Sequence, residues 1–143
     1  MVCTVACPNA AVTARQRKQA TDLLTAIGSV EWVKDEHLID AVTALSGSGP
    51  AYVFLLAETM ARAGISVGLP PALATRLARE TVAGSGELLR RSQDSSATLR
   101  KNVTSPGGTT AAALEVLMGD GGLQPLMIRA VAAATKRSKE LAK

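Results

Sequence analysis

The sequence predicts a mainly α-helical chain in which a short β-α-β unit precedes a series of helices. Two β-prone runs flank one amphipathic segment before residue 35, and every later segment has a helical period broken only by Gly, Pro and Ser. Hydrophobic residues make up 47% of the chain but aromatic residues only 2%. The interior must therefore consist of aliphatic side chains, which favours helices that lie close together.

The β-α-β unit occupies residues 1–34. Residues 3–7 and 30–33 are short and β-prone, which predicts two strands. Between them, Thr13 and Gln16 have the spacing of a capping box at the start of a helix, and Gly28 is placed to stop that helix. Such a unit cannot cover both faces of its own sheet, and parallel strands occur almost only inside larger sheets.

Residues 1–34 are therefore expected to be the C-terminal remnant of a larger α/β domain, and residues 35–143 to form an all-helical domain. Met1 directly precedes the first strand. We interpret this start as either a truncation or a chain that borrows neighbouring strands from a partner.

The helical domain is predicted to contain a long, interrupted first segment over residues 36–64, where Pro50 should produce a kink or a new helix start. A second long helix should open within residues 68–71 and run to about residue 91. Gly84 and Gly86 within it suggest that another helix crosses closely, with a second subunit as one source. Three further helices are expected over residues 96–102, 109–118 and 123–142.

Composition excludes several classes of function. The net charge of +4 would suit nucleic acid, but stacking platforms need aromatic residues and the chain has one Phe, one Tyr and one Trp. The longest strongly apolar run, residues 51–57, is far shorter than a membrane span. Cys3 and Cys7 have neither metal-site nor disulfide spacing, so no metal is expected. We expect no nucleic acid, no membrane and a reduced, cytoplasmic protein.

The strongest candidate for chemistry is the segment over residues 102–110, a hydroxyl-rich turn that leads into a helix. Helix N-termini favour anions, two glycines let a ligand approach the backbone, and Ser105, Thr109 and Thr110 offer hydroxyl groups. This combination suits a small carboxylate. The alternative is that these residues only cap the helix and turn the chain, and the residues alone slightly favour it.

A second candidate, the Ser-Gly-Ser-Gly-Pro run over residues 46–50, could face a ligand but is better interpreted as a packing device. It is not a dinucleotide fingerprint, because G-x-G-x-x-G is absent and no strand precedes it. No P-loop sequence is present either.

Two motifs together resemble a known family. Asp-Ala-Val-Thr-Ala-Leu-Ser-Gly-Ser-Gly-Pro-Ala-Tyr at residues 40–52 and Val-Thr-Ser-Pro-Gly-Gly-Thr-Thr at residues 103–110 resemble the two signatures of pyrroline-5-carboxylate reductase. The pair in this order is highly specific, and the similarity extends over residues 2–143. The resemblance implies a helical dimerisation domain after the remnant of a truncated Rossmann-like domain, and a homodimer or a higher oligomer.

The same resemblance implies site residues. Ser105, Gly107, Gly108 and Thr109 would receive the carboxylate of pyrroline-5-carboxylate, or of the product proline, with the Ser105 hydroxyl and the N–H groups of Gly108 and Thr109 as donors. Thr110 would bind the substrate too and act as the catalytic residue, through a hydroxyl that orients the ring nitrogen. The remaining two, Asn102 and Val103, would border the nicotinamide end of NADPH or NADH.

The cofactor would be bound mainly by the N-terminal domain that is missing here. The resemblance thus implies part of an NAD(P)H-dependent reductase that makes L-proline in the last step of proline biosynthesis, with negligible activity of this fragment alone. A purely structural alternative is a non-catalytic helical dimerisation module.

Overall fold

The computed structural model describes residues 2–142 and confirms the mainly α fold class with its leading β-α-β unit. In chain order the elements are β1 (Val2–Ala6), α1 (Ala14–Thr25), β2 (Gly28–Trp32), α2 (Leu38–Val42), a π-helical turn (Thr43–Gly47), α3 (Gly49–Ser66), α4 (Pro71–Arg91), α5 (Ser96–Asn102), α6 (Thr109–Leu117) and α7 (Leu123–Leu141). No strand follows residue 35 within the described range, as predicted.

The two strands pair in parallel, in a register that runs from Val2 opposite Gly28 to Ala6 opposite Trp32. The predicted capping box at the start of α1 is confirmed. The Thr13 N–H donates to Gln16 Oε1 at 2.9 Å, and the Gln16 N–H donates to Thr13 Oγ1 at 3.3 Å. The local sequence therefore sets where α1 begins.

The predicted role of Gly28 as the stop of α1 is wrong. The helix ends at Thr25, and Gly28 is the first residue of β2 without a positive φ. The N–H groups of Ala26 and Ile27 donate to carbonyl groups three residues earlier, at 3.3 and 3.1 Å. This tightened last turn satisfies the helix end without a glycine in the left-handed region.

The Trp32 side chain on β2 makes two contacts with α1. Its Nε1–H donates to Thr21 Oγ1 at 3.0 Å, and the Arg17 guanidinium lies 4.7 Å from the ring centroid. Both partners are one turn apart on α1, so a single indole contacts one face of the helix.

The predicted interruption before Pro50 is confirmed and takes the form of a π-helical turn. The Ser48 N–H donates to the Thr43 carbonyl at 2.9 Å, an i to i+5 hydrogen bond, and α3 begins at Gly49. Helix α4 begins at Pro71, within the run predicted to open it, and α5, α6 and α7 begin at the residues that the sequence predicted. Helices α6 and α7 each end one residue earlier than predicted.

The chain divides into two compact units. One comprises residues 2–49 with 129–142 and contains the strands, α1, α2 and the later part of α7; there the Ser138 hydroxyl donates to Asp40 Oδ1 at 2.6 Å. The other is Pro50–Ile128. The domain boundary predicted at residue 35 stays a prediction.

Within the second unit, α3 and α4 pack closely where Gly64 faces Ala74. A Cβ on Gly64 would lie 3.2 Å from Ala74 Cβ. A Cβ on Gly84 or Gly86 would meet nothing within 4 Å, so no described part of this chain crosses α4 there. The predicted crossing by a second subunit stays a prediction.

Large apolar side chains remain open to solvent throughout the described residues. The buried hydrophobic residues are four alanines, Ala44, Ala61, Ala74 and Ala78. Leu38–Ser66, followed through the π-turn, is also long and apolar enough to cross a membrane by length and composition. The sequence-based expectation counted only unbroken apolar runs and therefore did not identify this segment. Core helices of soluble proteins also meet this criterion of length and composition.

Candidate functional site: the turn before α6

The turn before α6 has a backbone shape that requires glycine. Gly107 has a φ of +67°, a region that residues with a Cβ rarely adopt. The Gly108 N–H donates to the Ser105 carbonyl at 3.1 Å and closes the turn, and a Cβ on Gly108 would lie 3.2 Å from that carbonyl oxygen. Gly107 therefore permits the left-handed backbone conformation, and Gly108 permits the close approach to the Ser105 carbonyl.

The first turn of α6 has open hydrogen-bond donors. Its N-cap is Gly108, and no side chain caps the helix. Thr13 caps α1 and Ser95 caps α5 through side-chain oxygens, whereas α4, like α6, has no side-chain cap. In the described residues the N–H groups of Thr109 and Thr110 have no partner, because residues at this position precede the helical ladder.

The structure bears on the alternative interpretation of the hydroxyl-rich turn in two ways. Ser105, Thr109 and Thr110 do not cap α6, whereas Gly107 and Gly108 do turn the chain. The carboxylate site stays a prediction. The helix dipole and two free N–H groups favour an anion at this end. The N–H of Gly108, which the resemblance assigned to the carboxylate, is engaged with Ser105 in this conformation. Its part in binding stays a prediction.

The other predicted site residues lie on either side of this turn. Ser105 is exposed and Thr110 half-buried. Asn102 is the last residue of α5, and Val103 follows it with 64% of its surface exposed. The chain that links α5 to the turn is anchored to the end of α5, because the Thr104 hydroxyl donates to the Arg100 carbonyl at 2.6 Å.

A cavity of about 420 Å³ lies beside the turn, between α5 and α6. Thr98, Arg100, Lys101 and Thr104 contribute its polar lining, and none of the predicted site residues lines it. Sequence reasoning did not single out Arg100 and Lys101, which directly precede Asn102. On α6 the cavity is lined by Leu114 and Met118, beyond the first turn of that helix.

The capping box at the start of α1 satisfies the N–H groups of Thr13 and Gln16. In doubly wound folds a dinucleotide pyrophosphate binds at the helix that follows the first strand of the domain. Because residues 1–34 are interpreted as the last part of such a domain, α1 is not the helix where that site would form. The described residues also contain no group of three or more His, Cys, Asp or Glu side chains that could hold a metal ion.

The fold and the turn together define a helical domain in which a glycine turn precedes an uncapped helix N-terminus, and which follows a parallel β-α-β unit. Comparison with known proteins makes this specific. A family model described as pyrroline-5-carboxylate reductase dimerisation matches residues 36–141. The chain belongs to this family.

Individual relatives agree with the family. A pyrroline-5-carboxylate reductase of Pseudomonas aeruginosa is 47% identical over 134 residues, which cover 94% of this chain and 49% of the relative. The reductase of Pisum sativum is 42% identical over 131 residues, which cover 92% and 47% of the two chains. The chain thus spans about half the length of the curated relatives it matches.

Solved structures show the same similarity. A pyrroline-5-carboxylate reductase from Coxiella burnetii superposes with a TM-score of 0.90 at 41% identity and covers 99% of this chain and 52% of that one. The enzyme from Plasmodium falciparum, solved with NADP bound, gives a TM-score of 0.78 at 33% identity and covers 97% and 52%.

Proposed function

We propose that this chain is the substrate-carboxylate and dimerisation part of a pyrroline-5-carboxylate reductase. The carrying observation is the uncapped N-terminus of α6, where Thr109 and Thr110 present free N–H groups behind a glycine turn. A carboxylate placed there would accept both hydrogen bonds and interact favourably with the helix dipole. The reaction of the whole protein would be the reduction of 1-pyrroline-5-carboxylate to L-proline.

In this proposal each residue of the turn has a separate role. Ser105 supplies a hydroxyl donor to the carboxylate, while Gly107 and Gly108 hold the backbone shape that leaves room for the ligand. Thr110 orients the ring nitrogen of the substrate through its hydroxyl. It acts by positioning, because a threonine hydroxyl is a poor acid.

NADPH or NADH would be bound mainly outside the residues described here. Asn102 and Val103, exposed at the end of α5, would border its nicotinamide end. We further propose a homodimer through the helical domain and a reducing cytoplasmic location. Without the dinucleotide site, this chain alone should bind the carboxylate but not turn it over.

A proline substitution tests the proposed carboxylate contact. Thr109 is the first residue of α6, where proline is tolerated and pre-organised. Gly108 has φ −82° and ψ 174°, which is compatible with a following proline. Thr109→Pro therefore removes one N–H donor while the helix is retained. Ser96→Pro at the first residue of α5 is the matched control.

Binding of L-proline and cyclopentanecarboxylate would be followed through the amide NMR signals of residues 105–110. Loss of one hydrogen bond to a charged acceptor should weaken binding roughly 10- to 100-fold in Thr109→Pro. Ser96→Pro should bind like the unaltered chain. Equal affinity in Thr109→Pro would refute the role of this helix end.

The alternative is a purely structural dimerisation module. Its supporting observation is the large amount of exposed apolar surface, which requires a partner but no ligand. A chain that dimerises but shows no carboxylate-dependent change at residues 105–110 would favour this alternative.

A further inference from the structure

Helix α2 and the π-helical turn that follows it have few local interactions to hold them. Helix α2 has five residues, and its N-cap His37 makes no capping hydrogen bond through its side chain. The π-helical turn includes the hydrogen bond from the Ser48 N–H to the Thr43 carbonyl. Helices this short are not stable in water by themselves. Tertiary contacts must therefore hold this segment, which leads into the Ser-Gly-Ser run at residues 46–48.

The hydroxyl of Ser138 on α7 does not bond within its own helix. Hydroxyl groups in helices can donate to the carbonyl one turn earlier, and Thr75 on α4 and Thr135 on α7 do so, at 2.9 and 2.8 Å. The single hydroxyl hydrogen of Ser138 instead goes to Asp40 Oδ1 on α2, 98 residues earlier in the chain, at 2.6 Å. This hydrogen bond therefore joins two elements that are far apart in sequence.

Burial along the last turns of α7 has the period of one helix face. Between residues 129 and 141 the half-buried residues are Val131, Ala134, Thr135 and Ser138. The spacing of i, i+3, i+4 and i+7 places these four residues on the same side of the helix. Residues 129–141 also belong to the same compact unit as α2 and the π-helical turn. Ser138 is thus the last member of a face that packs within this unit.

Asp40 lies on the less exposed side of its own segment. Its side chain is half-buried, and Ala44, one turn later in the π-helical turn, is 1% exposed. A carboxylate that leaves water is costly unless its oxygens accept hydrogen bonds. The Ser138 hydroxyl supplies one, and a hydrogen bond to a charged acceptor is stronger than one between neutral groups. Removing the Ser138 hydroxyl would therefore weaken the hold on α2.

We propose that the last turns of α7, residues 129–141, form a C-terminal strap that holds α2 and the π-helical turn through the Ser138–Asp40 hydrogen bond. While the strap is closed, α2 stays wound and the Ser48–Thr43 hydrogen bond persists. When the strap opens, the π-helical turn unwinds locally, whereas α1 and the two strands keep their structure. This device is independent of the proposed carboxylate site, because the turn before α6 belongs to the other compact unit.

Hydrogen exchange followed by NMR on the full chain tests the strap. Ser138→Ala removes the donor but keeps a strong helix former in α7. The amide of Ser48 should then exchange roughly 10- to 100-fold faster, which corresponds to one hydrogen bond to a charged acceptor. Exchange in α1 should be unchanged. The matched control is Thr135→Ala, on the same face of α7, because it removes a hydroxyl that bonds within the helix. It should leave exchange at Ser48 unchanged.

A double-mutant cycle tests the pair from the side of the acceptor. Asp40→Ala should also accelerate exchange at Ser48. Since both substitutions remove the same hydrogen bond, the double variant with Ser138→Ala should exchange no faster than Asp40→Ala alone. Two substitutions that act separately would instead multiply their effects.

Each contrary result would overturn the strap. Exchange at Ser48 that is already fast in the unaltered chain, or that Ser138→Ala leaves unchanged, would show that the hydrogen bond does not hold the π-helical turn. Equal acceleration at Ser48 and throughout α1 would assign the hydrogen bond to the general stability of the unit. Multiplied effects in the double variant would show that Asp40 and Ser138 do not act through each other.

Discussion

Gly107 adopts a φ of +67° directly before the α6 N-cap, so replacing it measures how strictly the turn depends on its backbone shape. An L-residue in the left-handed region costs roughly 1–2 kcal/mol, and alanine recovers about 0.4–1 kcal/mol by restricting the unfolded chain. Gly107→Ala should therefore lower the free energy of unfolding by about 1 kcal/mol. Asparagine tolerates this region better, so Gly107→Asn should lower it by less.

Thermal unfolding at fixed protein concentration gives the stability, with an expected fall of about 3 °C for Gly107→Ala. NMR titration with L-proline gives the effect on the binding turn, and Gly107→Ala should weaken binding. The control is Gly121→Ala, at a glycine without positive φ where a Cβ meets nothing within 4 Å. The reasoning fails if Gly107→Ala unfolds and binds like Gly121→Ala.

Three further predictions follow from single contacts. Thr13→Ala should remove the α1 cap and cost about 1 kcal/mol in denaturant unfolding, whereas Thr13→Ser should retain most of it; equal loss in both would contradict capping. Gly122→Ala should disrupt the turn between α6 and α7, because its Cβ would overlap the Leu117 carbonyl, and an unchanged hydrogen-exchange rate there would argue against this packing. Hydrogen bonds from Arg90 and, to a smaller extent, Arg91 lower the pKa of Glu87 from 4.5 to about 2. The stabilisation from this ion pair should therefore be present above pH 4.5 and lost as the pH falls towards 2. Glu87→Gln should remove this part of the acid dependence, as measured by stability against pH.

Local sequence signals predicted where most helices begin, whereas β1 and β2 begin one and two residues earlier than predicted and the segment predicted over residues 36–64 spans residues 38–66. Thr13 and Gln16 set the start of α1, and Pro71 sets the start of α4, because caps and prolines act over a few residues. The same reasoning failed at Gly28, where a glycine assumed to end α1 instead begins β2. A glycine permits a left-handed helix end but does not require one, and the tight last turn of α1 made it unnecessary.

The candidate site was found from the sequence only in part. Residue types identified the turn before α6. They did not show that Gly108 would be the N-cap, or that its N–H would donate to the Ser105 carbonyl. Those assignments depend on backbone dihedral angles, which hydroxyl-rich and glycine-rich sequences leave open. The basic lining by Arg100 and Lys101 became visible only when α5 and α6 were placed side by side.

The sequence by itself determined the class of the fold, the approximate positions of the helices and the glycine-containing turn before α6, since all three follow from periodicity and short-range chemistry. The tertiary structure alone decided which apolar faces remain uncovered. Periodicity shows that α3 and α4 each have an apolar face but not whether another element of the chain covers it. In the described chain the groove between α3 and α4, beside Phe54, is open, and large apolar side chains of both helices stay exposed.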